Sequence, residues 1–337
     1  MGRVIDVHNH YYPDEFVDAI RRQSTAATVS TGPSGETHIE FAGDYSVIVP
    51  AHREPERRIA DMDRYGIDMQ ILSLTVPGVH FEEQKRGIEL ARVTNDAFGQ
   101  IVERFPERLG AFATFPMQNS EAASRELERA VQQLGLFGAM IFSNLGGVPL
   151  DHVSLWPIYE AAEALAAPLI IHPIGPASLA NMEEMRLVAL LGFPFDMTLA
   201  AARLALSGVL DRFPRLTLIL SQLGGALPML AERIERGYSI YPELVGKLQR
   251  SPSEYFREMY FDTVPYGVAG IPMTYTLAGA GHILIGSDYP HQIGDLTTCT
   301  DVVRAMEITD AEKQLMLGGN VERLLARQAA ATRSART

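Results

Sequence analysis

The 337-residue chain is 47% apolar and 21% charged, the balance of a globular protein with room for one barrel domain or two ordinary ones. Its net charge of −12 argues against general binding to nucleic acid, and its single cysteine, Cys299, excludes an internal disulfide framework and a cysteine-rich zinc site. No uninterrupted apolar run reaches the roughly 18 residues of a membrane span. The opening Met-Gly-Arg-Val-Ile-Asp carries no signal-peptide core, so a cytoplasmic protein with no membrane partner is the expectation.

Eight short β-rich runs alternate with longer helical stretches: Val4–Asp6, Met69–Leu74, Leu109–Thr114, Gly138–Phe142, Pro168–His172, Leu216–Leu220, Met259–Asp262 and Ile283–Gly286. The stretch Glu121–Leu134 shows the helical pattern, with Ala123, Leu127, Ala130, Val131 and Leu134 on one stripe. Strands alternating with helices form a parallel sheet, and eight such units close an α/β fold of the (β/α)8 TIM-barrel type. A doubly wound sheet is the alternative, and it leaves the positions of the polar residues unexplained. Residues 24–49, polar and rich in Gly and Thr, read as an inserted loop or small hairpin over the barrel mouth. The stretch Gly175–Ala205 exceeds one connection and suggests an extra helix near Leu179–Leu191, before a break at Gly192-Phe193-Pro194-Phe195. One barrel domain then covers residues 1–328, and the small, polar residues 329–337 are expected to fray.

Barrel active sites lie at the C-terminal ends of the strands, so the residues that end each run matter most. The first run ends Asp6-Val7-His8-Asn9-His10; His8 and His10 are two apart on a strand and face the same way. The fifth ends in His172, and the eighth in Gly286-Ser287-Asp288-Tyr289-Pro290. Three imidazoles and one carboxylate from three strand ends make a site for one divalent ion. Each of the four alone has a bland explanation, since a single histidine is more often structural than a ligand. Their coincidence at strand ends on one face carries the argument.

The remaining candidates are weaker. His282 precedes the eighth run and belongs to the opposite, stability face. His38, His80 and His152 sit in polar or loop contexts and are expected to be solvated. His52 and His291 lie in loops that can overhang the mouth and touch substrate. Arg53 is either a partner for a substrate carboxylate or part of the charged run Arg53–Arg58 on a solvated helix start. Phe193 and Phe195 either stack on a planar substrate, with Phe195 the candidate contact, or pack a loop. Trp156 reads as core, and Asp262 either faces the mouth or caps the loop after the seventh run.

These motifs resemble those of the amidohydrolase superfamily. The closer similarity is to the branch containing aminocarboxymuconate semialdehyde decarboxylase and the resorcylate decarboxylases. It covers almost the whole chain, through Ile5-Asp6-Val7-His8-Asn9-His10, Ile170-Ile171-His172-Pro173, Gly192-Phe193-Pro194-Phe195-Asp196, the segment Leu206–Pro214, Gly286-Ser287-Asp288-Tyr289-Pro290-His291 and Gly319-Asn320. The resemblance implies one metal on His8, His10, His172 and Asp288, and non-oxidative decarboxylation of an unsaturated or aromatic carboxylic acid. Binuclear superfamily members place a lysine at the fourth strand end; Phe142-Ser143-Asn144 offers none, which also argues for a single ion. Zinc is the expected ion and manganese the alternative. Relatives in this branch are often homodimers, so a homodimer is expected.

The departure lies at the sixth strand, where Ser221-Gln222-Leu223-Gly224-Gly225 has glutamine in place of the branch's acid/base histidine. Glutamine donates and accepts hydrogen bonds but has no usable pKa near neutrality, so it orients a ligand without shuttling a proton. Three readings follow: a replacement made to trap substrate, favoured by the intactness of the other motifs; a natural enzyme with another acid/base; or a weak or inactive relative. Asp288 is then both ligand and candidate proton relay, with Gln222 beside it in the catalytic set. The rival functions are metal-dependent hydrolysis of a lactone, amide or carbon–carbon bond, and a non-catalytic metal-bound ligand-binding relative.

Overall fold

A computed structural model of the chain describes residues 2–41, 44–182, 184–264 and 269–334. Strands form where the apolar runs fall: Ile5–His10, Met69–Ser73, Leu109–Ala111, Ala139–Phe142, Leu169–His172, Leu218–Leu220 and Tyr260–Phe261. The first three pair side by side, and the fourth to seventh pair in a second sheet, every barrel pairing being parallel. Isolated parallel bridges join the two sheets. Ala113 meets Ala139, and the eighth run links Phe261 through Ile283, and Asp6 through Ile285. The eighth run is therefore present as a position but forms bridges rather than a ladder. The ring is closed, which removes sheet edges.

Alternation along the strands divides two apolar cores. Ile5, Val7, Met69, Ile71, Met140, Ile170, Ile219 and Leu284 fill the barrel interior. Leu72, Ile141, Ile171, Leu220 and Ile285 face outward into the layer of helices. Val321 and Leu324, on the helix Asn320–Ser334, pack into the inner core. That helix runs through Ala329–Ser334, so the expected fraying does not begin at Ala329; residues 335–337 lie outside the described residues.

The helix Ser120–Gln133 bears out its apolar stripe, burying Ala123, Leu127, Ala130 and Val131, and Asn119 caps it by accepting from the Ala122 amide.

Two connections differ from expectation. The insertion is a three-stranded antiparallel sheet, Thr28–Thr31, Thr37–Phe41 and Asp44–Ile48, rather than a hairpin, with residues 42 and 43 outside the described set. It is tied to the barrel by Glu82, which accepts from Ser24 Oγ at 2.5 Å and Thr25 Oγ1 at 2.8 Å. The helix expected near Leu179–Leu191 lies further along the chain. Asn181, Met185 and Arg186 have left-handed backbones, and a π-turn at Val188–Gly192 runs into the α-helix Phe193–Leu206. Pro194 does not break the helix; it falls where the π-turn passes into the α-helix. The whole helix Val188–Leu206 is long and apolar enough to cross a membrane by length and composition, and half of it is packed inside the protein.

Candidate metal centre

The first strand carries an irregularity that decides where its histidines point. Asp6 pairs with Gln70 and Asn9 with Leu72, so three steps on one strand face two on its neighbour. The extra residue reverses the inside–outside alternation. Ile5 and Val7 fill the barrel, and His8 and His10 also turn inward, one layer higher. His172 follows Ile170 on the inner face of the fifth strand. Asp288 leaves the eighth run with a left-handed backbone, φ 57°. Its loop is pinned by the Ser287 and Asp288 amides, which donate to the His8 carbonyl at 3.0 and 2.8 Å. Gly294 is required opposite, since a Cβ there would sit 2.4 Å from the Asp288 carbonyl oxygen.

One side-chain atom from each of His8, His10, His172 and Asp288 lies within 4.8 Å of the others, and all four residues are buried. Asp288 Oδ1 is 2.8 Å from His10 Nε2 and 3.5 Å from His8 Nε2. The three rings meet edge to face, with centroids 5.0, 5.3 and 4.9 Å apart.

Each ring is held through its other nitrogen. His8 Nδ1 lies 2.5 Å from Asp262 Oδ2, His172 Nδ1 donates to the Pro173 carbonyl at 2.7 Å, and His10 Nδ1 is 3.2 Å from Ser73 Oγ. The Ser73 hydroxyl spends its own proton on the Asn9 carbonyl at 2.7 Å, so it accepts from His10. All three rings therefore present an Nε2 lone pair inward, and that of His8 is buried with no hydrogen-bond partner among the described residues. Burial and the neighbouring imidazoles push His10 and His172 well below the usual histidine range, toward the neutral form that ligates metals. For His8, burial is outweighed by Asp262 and the net shift is upward. Three oriented nitrogens, one carboxylate and a buried lone pair fit a divalent cation.

A buried polar network supports the cluster from behind. Arg58 Nη1 donates to Asn9 Oδ1 at 2.9 Å and Gln70 Oε1 at 2.8 Å, while Nη2 reaches the carbonyls of His10 and Ala51. Gln70 Nε2 and Ser287 Oγ both donate to Asp6 Oδ2 at 2.7 Å. Arg58 is completely buried, contrary to its reading as part of a solvated run. Its spacing from Met62, i and i+4 on the buried stripe of helix Pro55–Tyr65, was the available signal.

The other candidates divide. Gln222 stands after the sixth strand with φ 53°, its Oε1 buried without a hydrogen-bond partner among the described residues, and the next amide, that of Leu223, lies 3.5 Å from Asp262 Oδ1. Asp262 does both things expected of it: Oδ2 meets His8 of the cluster, and Oδ1 caps the following loop by accepting from the Val264 amide at 3.0 Å. His52 is completely buried; its Nε2 lies 3.2 Å from His291 Nδ1, and the His291 ring is 4.6 Å from that of His10. Arg53 is not brought to the cluster: its Nε pairs with Asp14 at 2.5 Å. Nor is Phe195, which is 54% exposed on the outer side of its helix; Phe193 is the ring beside His172, at 6.4 Å. His80 is not solvated but buried between Phe81 and Phe142, and burial pushes its pKa down to about 3. At the fourth strand end, Ser143 and Asn144 both donate to Asp196, which occupies the groups standing where a bridging lysine would be.

The sequence profile of the family described as amidohydrolase matches residues 5–327. The chain is 30% identical over 322 residues to 2-amino-3-carboxymuconate-6-semialdehyde decarboxylase of Dictyostelium discoideum, covering 94% of this chain and 89% of that one. Its fold is similar to that of 5-carboxyvanillate decarboxylase from Sphingomonas paucimobilis, with a TM-score of 0.85, 28% identity and coverage of 97% and 99%. It is also similar to dihydroxybenzoic acid decarboxylase from Polaromonas sp. JS666, solved with bound manganese and 2-nitroresorcinol, with a TM-score of 0.77, 27% identity and coverage of 97% of each chain. These three relatives are decarboxylases, and the chain belongs to the amidohydrolase family.

Proposed function

We propose that the protein is a metal-dependent, non-oxidative decarboxylase of an aromatic or unsaturated carboxylic acid, with one divalent ion on His8, His10, His172 and Asp288. The observation that carries this reading is the convergence of three Nε2 atoms and a carboxylate, each imidazole being oriented through its Nδ1. Held by His8, His10, His172 and Asp288, an ion would supply positive charge for the substrate carboxylate. Asp262, Ser73 and the Pro173 carbonyl keep the rings in the orientation this requires. Loss of carbon dioxide leaves an electron pair on carbon, which must take a proton: RCO2⁻ + H⁺ gives RH + CO2. Asp288 is the carboxylate within the cluster, and we assign it the relay of that proton as well as a place among the ligands. Gln222 orients the substrate through its amide and moves no proton.

The ligand set, rich in imidazole, supports zinc. The manganese of the Polaromonas relative supports the competing choice. The exposed side chains of Leu191, Phe195, Leu199 and Met229 support a homodimer, and the single buried cysteine supports a reducing, cytoplasmic setting.

The test is elemental mass spectrometry on protein purified without added metal, with carbon dioxide release measured from a panel of hydroxybenzoic acids. About one zinc or manganese per chain is expected if His8, His10, His172 and Asp288 hold a single ion. Protein that holds no metal, and takes up none on soaking, contradicts the proposal. Oxygen from labelled water appearing in the product, without carbon dioxide, would assign a hydrolase instead. Gln222 favours one rival, a ligand-binding relative, whose signature is tight binding of an acid with no turnover even after Gln222→His.

A further inference from the structure

Two histidines outside the metal cluster form a chain that the decarboxylation reading leaves unused. His52 ends the short turn Pro50–His52, between the insertion and the helix Pro55–Tyr65, and is completely buried. The Val49 amide donates to its Nδ1 at 3.1 Å. An amide N–H can only donate, so His52 Nδ1 accepts and the ring proton sits on Nε2. Burial, with His291 and Arg58 nearby, pushes the pKa of His52 down to about 2, which keeps it neutral. Its Nε2 faces His291 Nδ1 at 3.2 Å. His52 therefore donates, His291 Nδ1 accepts, and the proton of a neutral His291 must lie on its Nε2.

His291 is well placed to use that proton. It follows Asp288 by three residues, its amide donates to the Asp288 carbonyl at 3.0 Å, and its carbonyl accepts from Gly294 at 2.8 Å. The ring lies against His10 at 4.6 Å with a 35° tilt, and it is partly exposed where the metal cluster is buried. It thus stands between the metal ligands and solvent.

We propose that His52 is a positioning residue that holds His291 as the Nε2–H tautomer, and that His291 uses this N–H as a hydrogen-bond donor to an anionic oxygen of the substrate at the barrel mouth. A neutral ring of the opposite tautomer would offer a lone pair to the same oxygen and repel it. The substrate class rests on the decarboxylase reading; the tautomer does not.

The experiment uses metal-loaded, full-length protein and three variants of His52. His52→Gln keeps an acceptor for the Val49 amide and a donor for His291. His52→Glu keeps only acceptors, so it asks His291 Nδ1 to become the donor. His52→Leu removes both. Nitrogen-15 spectra of histidine-labelled protein, with His291 assigned by its loss in His291→Phe, read the tautomer directly. The expected result is Nε2–H in the wild type and in His52→Gln, and Nδ1–H in His52→Glu. Calorimetric titration with salicylate should show Kd raised about 10- to 100-fold in His291→Phe and His52→Glu, the loss of one hydrogen bond to a charged group. His52→Gln should restore the binding lost in His52→Leu, with metal content constant throughout. Nδ1–H on wild-type His291 overturns the positioning role. A wild type that binds no salicylate, or variants that bind it equally well, overturns the donor role. Failure of the decarboxylase reading looks different: salicylate binds, the tautomer is as stated, and no acid in the panel releases carbon dioxide.

Discussion

Asp262 Oδ2 lies 2.5 Å from His8 Nδ1, with both side chains completely buried. The pair joins the end of the seventh strand to the end of the first and sets which nitrogen of His8 faces the cluster. Asp262 holds the Val264 amide as well, at 3.0 Å, so the carboxylate is itself fixed in orientation.

The first prediction follows from that pairing. Asp262→Ala frees the His8 ring to rotate and removes the acceptor that raises its basicity. Metal affinity should fall about 10- to 100-fold, the usual cost of losing a carboxylate behind a ligating histidine. Competition with a chromophoric chelator measures it, and an unchanged affinity would show that His8 is not a ligand.

Gln222→His is expected to increase carbon dioxide release by about 10²- to 10⁴-fold, the range of a positioned general acid or base. The backbone there, at φ 53°, suits the change, because histidine is among the side chains enriched in left-handed positions. Rates on one accepted acid, at equal metal content, decide the matter. No gain would leave Asp288 as the sole proton donor.

Arg58→Ala should destabilise the fold by about 3–5 kcal/mol, because it leaves Asn9, Gln70 and two backbone carbonyls buried without their donor. Arg58→Lys should recover only part of this, since one ammonium cannot reproduce the planar fork. Urea unfolding of both variants provides the measurement. A loss below 1 kcal/mol for the alanine variant would mean that the network is replaceable by water.

The insertion should loosen in acid. Burial raises the Glu82 pKa, but the Ser24 and Thr25 hydroxyls and the Thr25 amide outweigh it, and the net shift is downward from 4.5. A carboxyl depressed on folding contributes stability at pH values above its unfolded pKa, and loses it as pH falls through the folded value. Proteolysis within residues 24–49 should therefore accelerate below pH 4.5 in the wild type. In Glu82→Gln it should be fast and pH-independent. Equal cleavage rates for the two proteins at pH 7 would contradict the anchoring role.

Much of the centre was legible in the sequence because a barrel brings its strand ends to one face. His8, His10, His172 and Asp288 could be grouped from their positions at the ends of apolar runs, without any knowledge of distance. The absent lysine at Phe142-Ser143-Asn144 and the glutamine at 222 were equally readable, since both are facts of residue type at a known strand end.

What local pattern cannot contain is a partner far along the chain. Asp262 meets His8 from 254 residues away, and His291 meets His52 from 239. Neither pairing has a periodicity to betray it. Side-chain direction was the other gap. Arg53 and Phe195 are polar and aromatic in the right neighbourhoods, yet Asp14 takes the first and the helix turns the second to solvent. Arg58 and His80 read as surface residues and are buried, because polarity alone does not reveal a network or an aromatic pocket waiting for the group. The first strand shows the division most clearly. Residue type and spacing determined that His8 and His10 would share a face. The extra residue between Asp6 and Asn9, set by pairing with the second strand, decided that this face is the inside of the barrel.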